Sequence, residues 1–128
     1  MYKKKKLRIE ADKLWRLAVY KKYGLKCEVC GKKATEPHHF FPKSLYGHLR
    51  YNIENGVPLC HRCHFSRHHQ GDPIISMIIR NKRGRLWYEE LLKKAQNRPK
   101  SSYITVKWYK EKINYLTEYL KNDEKSNN

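Results

Sequence analysis

The four cysteines of this chain form two close pairs, and this arrangement constrains the fold more than any other feature. The pairs are Cys27-x-x-Cys30 and Cys60-x-x-Cys63, and the 128 residues contain no other cysteine. Each pair can place two thiolates on one metal ion, and two pairs complete the tetrahedral sulfur site that suits zinc. The sequence therefore predicts a structural Zn²⁺ site whose binding free energy contributes directly to folding.

Two other uses of paired cysteines fit this sequence less well. Disulfides belong to oxidising compartments, and the basic residues 3–6 are not followed by the apolar run of a secretory signal. Neither pair has the strand–helix context of a redox site. The 29 residues between Cys30 and Cys60 exceed the spacing of an ordinary zinc ribbon, which indicates a functional loop between the pairs.

The charge of the chain indicates its partner. There are 29 Lys and Arg residues against 12 Asp and Glu residues, a formal net charge of +17. Such an excess favours a polyanion, either nucleic acid or an anionic membrane surface. The longest apolar stretch, residues 74–79, is far shorter than the roughly 20 residues of a membrane-spanning helix. We therefore expect an intracellular, cytoplasmic protein that binds nucleic acid and has no membrane partner.

The hydrophobic pattern predicts an α+β fold in one domain, residues 1–128. Its expected parts are a mobile basic arm (1–9), a helix (10–24), a zinc-bearing core (25–70) and a helical extension (71–122). In the first helix, Leu14, Leu17, Ala18 and Lys21 share one face. The core should contain two short strands, near 37–41 and 56–59, and then a short helix over 61–69.

Capping signals divide the extension into three helices. Asp72 and Pro73 are typical of a helix start, and the body that follows, residues 74–82, is apolar nearly all round, so it should be well buried. Gly84 should end this helix, and a second should end before Pro99. Thr105 can cap the last helix.

Histidines are concentrated between and just after the cysteine pairs. His38 and His39 are neighbours on the first predicted strand, so their rings should lie on opposite sides and have different roles. His64 and His68 are one helical turn apart and can ligate one metal ion, while Cys63, about 100° away, faces the zinc.

Residues 24–69 resemble the HNH endonuclease motif with its zinc-binding cysteine pairs. The resemblance rests on His38-His39, on the run Asn55-Gly56-Val57-Pro58-Leu59 and on Cys60-x-x-Cys63-His64-x-x-x-His68. It implies the ββα-metal fold, a small treble-clef-like core of two strands and a helix around one divalent cation, flanked here by helices on both sides.

The resemblance also implies a role for each residue of the site. His38 and His64 would be ligands of the catalytic cation. His39 would be the general base that activates water, and Asn55 would orient the His39 ring through its side-chain carbonyl. His68 matches an extra ligand of HNH nucleases that end in His-x-x-x-His, such as the colicin DNases; His69 is the alternative.

The catalytic cation is expected to be Mg²⁺, Mn²⁺, Ni²⁺ or Zn²⁺. Many family members have Asp at the His38 position and Asn at the His64 position, so this chain departs towards nitrogen ligands. Imidazoles suit zinc, nickel or manganese better than magnesium. Independently of any family, a histidine can accept a proton from water near neutral pH, and a divalent cation can stabilise the charges of phosphodiester hydrolysis.

Basic residues elsewhere are candidate phosphate contacts. They are Lys3, Lys4, Lys5, Lys6, Arg8, Lys32, Lys33, Arg80, Lys82, Arg83 and Arg85. The C-terminal part, with its Arg80-bearing helix and residues 105–120, has a weaker similarity to the phage NinG recombination nucleases, which implies phage origin and branched or nicked DNA as substrate.

Three functions compete at this point. The first is a metal-dependent HNH endonuclease that hydrolyses DNA. The second is a non-catalytic zinc module that binds nucleic acid, which would require neither His39 nor Asn55. The third is an RNase or a branched-DNA-specific nuclease with the same site.

Overall fold

The computed structural model describes residues 2–68 and 71–122 as a two-stranded sheet surrounded by helices. The helices are α1 (Tyr2–Tyr23), α2 (His61–His68), α3 (Pro73–Arg83), α4 (Arg85–Gln96) and α5 (Val106–Lys121), and the strands are β1 (Glu36–His39) and β2 (Gly56–Leu59). Within these ranges no helix combines the length and apolarity needed to cross a membrane. The predicted α+β class is confirmed, while the assignment of the whole chain to one domain stays a prediction.

The predicted mobile arm is wrong, because α1 begins at Tyr2 and continues without a break to Tyr23. Lys, Arg and Leu are good helix formers, and residues 2–23 contain neither Gly nor Pro. Leu7, inside the supposed arm, also packs against the core that α1 shares with α5. Tertiary packing therefore fixes a segment whose charge alone suggested mobility.

The buried face of α1 also differs from the predicted one. Ala11, Trp15, Ala18 and Val19 are buried, whereas Leu17 is exposed. Of the other predicted face residues, Leu14 packs at the edge of the core and Lys21 donates to the last carbonyls of α5, Tyr119 O at 2.7 Å and Asn122 O at 2.6 Å. The small alanines let α1 approach its neighbours closely, which selects this face.

The two strands form an antiparallel hairpin with a long connection. Glu36 pairs with Leu59 and His39 with Gly56, and residues 40–55 join the strands through 3₁₀ turns at Gly47–Leu49 and Ile53–Asn55. The hairpin lies between two cores. One contains the buried cysteines, Phe40, Leu59 and the inner sides of α3 and α4, and the other contains α1, Tyr51, Ile53 and α5.

Gly56 is required where α1 crosses the start of β2. A Cβ atom at this position would lie 2.2 Å from a methyl carbon of Val19 and 3.0 Å from the Trp15 ring. Any side chain would therefore push α1 away from the hairpin. The close approach brings Trp15 next to His39 on the paired strand.

Helix α3 is capped as predicted but is buried on one side only. The Asp72 side chain accepts from the backbone N–H of Ile74 at 3.0 Å, and Gly84, at φ +98°, ends the helix. Ile75 and Ile79 are buried, while Ile74, Met77 and Ile78 are exposed, so the predicted all-round burial is wrong. The reason is that α3 packs on α2 and α4, which cover only one of its sides.

Helix α5 begins at the predicted cap. The Thr105 hydroxyl accepts from the N–H of Trp108 at 3.0 Å. Tyr109 and Leu116 are buried on the side that packs against α1, and Ile113 and Leu120 flank them. The polar residues 121–128 predict a frayed end; Lys121 is the last residue of α5, and residues 123–128 lie outside the described residues.

Arg83, at the end of α3, is buried in an ion pair rather than exposed to phosphates. It pairs with Glu28 through its Nε at 2.9 Å and its Nη2, and both side chains are at least 93% buried. The same guanidinium donates to Glu54 O at 2.9 Å and Gly56 O at 2.7 Å. Its ring neighbours are Tyr23, at 3.6 Å from the guanidinium carbon, and Trp87 at 5.0 Å. The prediction of Arg83 as a phosphate contact is therefore wrong.

We expect Arg83→Met to destabilise the fold by about 3–5 kcal/mol, because it leaves the Glu28 carboxylate buried without its cation. Adding Glu28→Leu should recover part of this loss, and the remainder should reflect the carbonyls that lose their donors. Arg85→Met is the control, since Arg85 is exposed and makes only a 3.7 Å contact with Glu89; its effect should stay within about 0.5 kcal/mol. Urea unfolding measures all three, and similar losses for Arg83→Met and Arg85→Met would contradict the assignment.

Candidate functional site

The four cysteines come together as the sequence predicts. Their sulfur atoms all lie within 4.8 Å of one another, and three of the residues are buried while Cys30 is exposed. The sulfurs of Cys30 and Cys60, from different pairs, are 3.6 Å apart. Four convergent thiolates fit a structural metal such as zinc, so the donor chemistry agrees with the expected site.

Local backbone geometry shapes both cysteine pairs. In the first, Gly31 adopts φ +80° and its N–H donates to Cys27 O at 2.9 Å, which closes a tight turn. In the second, the N–H of His64 donates to Cys60 O at 2.9 Å, so this turn leads directly into α2. Metal binding at the cysteines would therefore also fix the start of the helix that carries His64.

A second group of candidate metal ligands lies at the hairpin. The ligand atoms of Glu36, His38 and His64 all lie within 4.8 Å of one another. The rings of His38 and His64 stack with centroids 3.5 Å apart. The structure thus brings together the two histidines that the sequence assigned to one cation, and it adds a carboxylate. Two imidazoles and one carboxylate can bind a divalent transition metal.

Glu36 was missed by the sequence analysis, although a signal was present. Residues two apart on a strand project to the same side, so Glu36 must share a side with His38 on β1. The boundary of the predicted strand, placed at residue 37, excluded it. Adding an oxygen donor makes the trio less nitrogen-rich than the sequence suggested.

The His39 ring lies on the other side of β1 and is held by two contacts. It stacks on Trp15 with centroids 4.1 Å apart and planes 2° from parallel. Its Nε2 is 2.9 Å from the carbonyl oxygen of Arg50. Because a carbonyl only accepts, Nε2 must carry the proton, and Nδ1 is left with the lone pair. The surroundings thus select one tautomer of the ring.

Burial lowers the pKa of His39 to about 4, and the positive charges of Lys43 and Arg50 act in the same direction. The hydrogen bond to the Arg50 carbonyl opposes this change. The ring is therefore neutral near pH 7, and the neutral form is the one that can accept a proton.

Asn55 does not orient His39 through its side-chain carbonyl, so that expectation is wrong. Its Oδ1 accepts from the backbone N–H of Phe41 at 2.8 Å, and its Nδ2 donates to Phe41 O at 3.1 Å and Leu49 O at 3.4 Å. Asn55 is fully buried and joins the two ends of the hairpin connection. It therefore holds the loop that presents the Arg50 carbonyl, and it acts on His39 through that loop.

Helix α1 supplies a part of the site that the motif does not contain. The Nε1 of Trp15 donates to Asn52 O at 2.8 Å. Asp12 binds the Arg50 side chain through both carboxylate oxygens, at 3.0 and 2.8 Å. These contacts attach the loop of Arg50 to α1, so the helix fixes both the face of the His39 ring and the carbonyl that holds it.

The His39 ring and the candidate metal ligands line a cleft of about 450 Å³. Its walls come from α1, from β1, from the loop after β1 and from α2; the lining residues include Asp12, Trp15, Arg16, Glu36, His38, His39, Lys43, Ser44 and His64. The candidate base and the candidate ligands thus face one open space. His68 is the last residue of α2, but its side chain, like the whole of His69, lies outside the described residues.

The remaining predicted phosphate contacts have varied surroundings. Lys3, Lys4, Lys5, Lys6, Arg8, Lys32 and Lys33 are exposed. The Arg80 guanidinium lies 3.7 Å from the centroid of the Tyr88 ring, and Lys82 donates to Glu28 O at 3.2 Å. The role of all these residues as phosphate contacts stays a prediction.

Comparison with known proteins supports the motif. Residues 27–70 match the family model HNH, described as HNH endonuclease. No curated protein and no solved structure matches this chain. The predicted HNH resemblance is confirmed over the segment that carries the cysteine cluster, the hairpin and α2.

We expect Cys27→Ser to lower the zinc content of the purified protein well below one ion per chain and to unfold it, because zinc binding and folding are coupled. Elemental analysis and circular dichroism measure the two effects. The control is His38→Ala. His38 belongs to the other ligand group, with Glu36 and His64, so this variant should keep the zinc at the cysteines and the fold. A stable, zinc-free Cys27→Ser protein would refute a structural zinc site.

Proposed function

We propose that this chain, whose residues 27–70 match the HNH endonuclease family, is a metal-dependent endonuclease that hydrolyses phosphodiester bonds in DNA. One observation carries the proposal. A histidine with a fixed tautomer, His39, shares a cleft with a compact trio of metal-ligating side chains, Glu36, His38 and His64. Hydrolysis of a phosphodiester requires both a proton acceptor for water and positive charge at the phosphate.

His39 is the proposed general base. Its Nδ1 would take a proton from the attacking water while Nε2 keeps its hydrogen bond to Arg50 O. As positive charge develops on the ring, that carbonyl stabilises it, and the Trp15 face keeps the imidazole plane from rotating. The ring is therefore held in place before the reaction begins. Such preorganisation is the main way in which a protein lowers the activation barrier of a reaction of this kind.

Glu36, His38 and His64 are the proposed ligands of the catalytic cation. When bound, a divalent cation supplies Lewis-acid stabilisation of the phosphate and of the departing oxygen. The mixed nitrogen and oxygen donors favour Mn²⁺, Ni²⁺ or Zn²⁺ over Mg²⁺. His68, one turn after His64 in α2, is proposed as a further ligand on the strength of the motif alone.

The finer features of the substrate rest on the sequence. Preference for branched or nicked DNA follows from the resemblance of the C-terminal part to phage recombination nucleases and stays a prediction, as do phage origin and an intracellular location.

A non-catalytic nucleic-acid-binding module remains the competing function. A fixed histidine tautomer beside a ligand trio favours the enzyme, because binding alone requires neither.

We expect His39→Ala to abolish nicking of supercoiled plasmid while DNA affinity and melting temperature stay near those of the wild type. General-base catalysis typically contributes about 10²–10⁴-fold, and the loss should fall in this range. The assay uses zinc-loaded protein with added Mg²⁺, Mn²⁺, Ni²⁺ or Zn²⁺.

The matched control for this experiment is His48→Ala. His48, in the 3₁₀ turn Gly47–Leu49, is likewise bound to a backbone carbonyl, Lys94 O at 2.9 Å, but it does not line the cleft. Its removal should leave nicking within about threefold of wild type. Residual cutting by His39→Ala within a few-fold of wild type would exclude His39 as the base.

We expect Glu36→Gln to weaken Mn²⁺ binding by at least tenfold, because the amide keeps the shape of the side chain but removes the ligand charge; even outer-shell changes typically cost about 10–100-fold in metal affinity. Electron paramagnetic resonance of free Mn²⁺, titrated with zinc-loaded protein, reports affinity without any need for turnover. Glu89→Gln, an exposed glutamate on α4, is the control and should bind as the wild type does. Equal affinities for all three proteins would remove Glu36 from the site.

A further inference from the structure

Two cations at the cleft, Arg16 and Lys43, have no role in the proposed chemistry. Arg16 lies on α1, and Lys43 lies in the loop after β1; both line the cleft and both are exposed. Neither forms a hydrogen bond or ion pair with any residue in the ranges 2–68 and 71–122. By contrast, the Asp12 carboxylate, also at the cleft, is held by Arg50 through both oxygens. The cleft therefore presents two uncommitted positive charges beside His39.

The positive charge continues along α1 away from the cleft. Lys5 is 11 residues before Arg16, which is about three helical turns. The two side chains therefore project within about 20° of each other around the helix axis and are roughly 16 Å apart along it. Lys5 is exposed and has no hydrogen-bond or ion-pair partner within the described ranges. Since α1 is helical from Tyr2, the position of Lys5 is fixed relative to the cleft.

Acidic residues do not interrupt this edge. Of the two acidic residues on α1, Asp12 is neutralised by Arg50, and Glu10 projects about 120° away from Arg16. Ile9, 58% exposed, lies between Lys5 and Arg16 on the same edge. From Lys5 to Arg16 this edge of α1 thus carries cations without an open carboxylate between them, which suits a phosphate backbone. The exposed carboxylate of the cleft, Glu36, lies on β1 and is a proposed ligand of the cation.

We infer that the cleft-side edge of α1 binds the backbone of one DNA strand. Arg16 and Lys43 contact the phosphate at the cleft, and Lys5 contacts a phosphate of the same strand about 16 Å further along. We call Lys5, Arg16 and Lys43 the phosphate track. The inference rests on the proposed function, and it specifies that the substrate is a polynucleotide lying along α1.

The test compares two lysines on opposite sides of α1. Lys3 is two residues from Lys5 and projects about 160° away from it. The phosphate track therefore excludes Lys3, which the sequence offered as a phosphate contact, although Lys3 is also exposed and carries the same charge. Lys3→Glu and Lys5→Glu therefore change the net charge identically and differ only in the side of the helix that is changed. Fluorescence anisotropy of a labelled 20-base-pair duplex, with zinc-loaded protein and no added catalytic cation, measures affinity in the absence of cutting.

We expect Lys5→Glu to raise the Kd for the duplex by about tenfold at low salt and to reduce the slope of log K against log salt by about one, as for the loss of one phosphate contact. Lys3→Glu should raise Kd by less than about threefold, because only long-range attraction changes. Arg16→Ala should weaken binding with a similar change of slope. Equal effects of Lys3→Glu and Lys5→Glu would overturn the phosphate track.

The outcomes separate this inference from the proposed function. Wild-type protein that nicks plasmid while Lys3→Glu and Lys5→Glu bind alike would retain the nuclease and reject the track. Wild-type protein that fails to cut any DNA, while Lys5→Glu alone binds poorly, would retain the track on a binding module. Circular dichroism melts of each variant verify that altered binding is not caused by unfolding.

Discussion

The buried guanidinium of Arg83 is the contact on which the arrangement of the other elements depends. It joins Glu28 beside the first cysteine pair, the carbonyls of Glu54 and Gly56 where β2 begins, and the rings of Tyr23 at the end of α1 and Trp87 on α4. Buried carbonyls need donors, and a buried carboxylate needs a cation. One side chain meets both needs at the meeting point of four segments, so the cysteine cluster and the hairpin are held in one orientation.

Helix α1 completes a site that the HNH segment holds only in part. The family match begins at residue 27, yet the face of the His39 ring is covered by Trp15, and the loop that binds its Nε2 is attached to Asp12. This packing requires the absence of a side chain at Gly56, where Val19 touches the strand. The glycine of the motif is thus explained by a helix outside the motif, and the positioning of the proposed base, His39, depends on both.

Sequence reasoning predicted what local signals determine. The cysteine spacing, the caps at Asp72 and Thr105 and the break at Gly84 each act within a few residues, and the structure contains all of them. It failed where tertiary neighbours decide. Nothing local distinguishes Arg83, which is buried, from Arg85, which is exposed, since both lie in one basic run.

The errors at the site have the same origin. The partners of Asn55 are backbone groups of Phe41 and Leu49, which become neighbours only when the hairpin connection folds back on itself. The error over the predicted mobile arm, residues 1–9, has a different origin. Its helix-forming residues are visible in the sequence, but the prediction of mobility rested on the charge of residues 3–6. Helix propensity, together with the packing of the partly buried Leu7 against the core, outweighs a charge repulsion that salt screens within about 10 Å.

The charges around the cleft connect cation binding to substrate binding. Two carboxylates line the cleft in the described part of the chain. Asp12 is neutralised by Arg50, and Glu36 remains beside His38 and His64. The exposed Glu36 carboxylate repels a phosphate a few ångströms away. Under the proposed function, the divalent cation that Glu36 binds reverses the sign of this part of the cleft. The positive charges of Arg16 and Lys43 would then act together with that of the cation, so phosphate should bind at the cleft more tightly when the cation is present, while the α1 edge would contact the strand in either case.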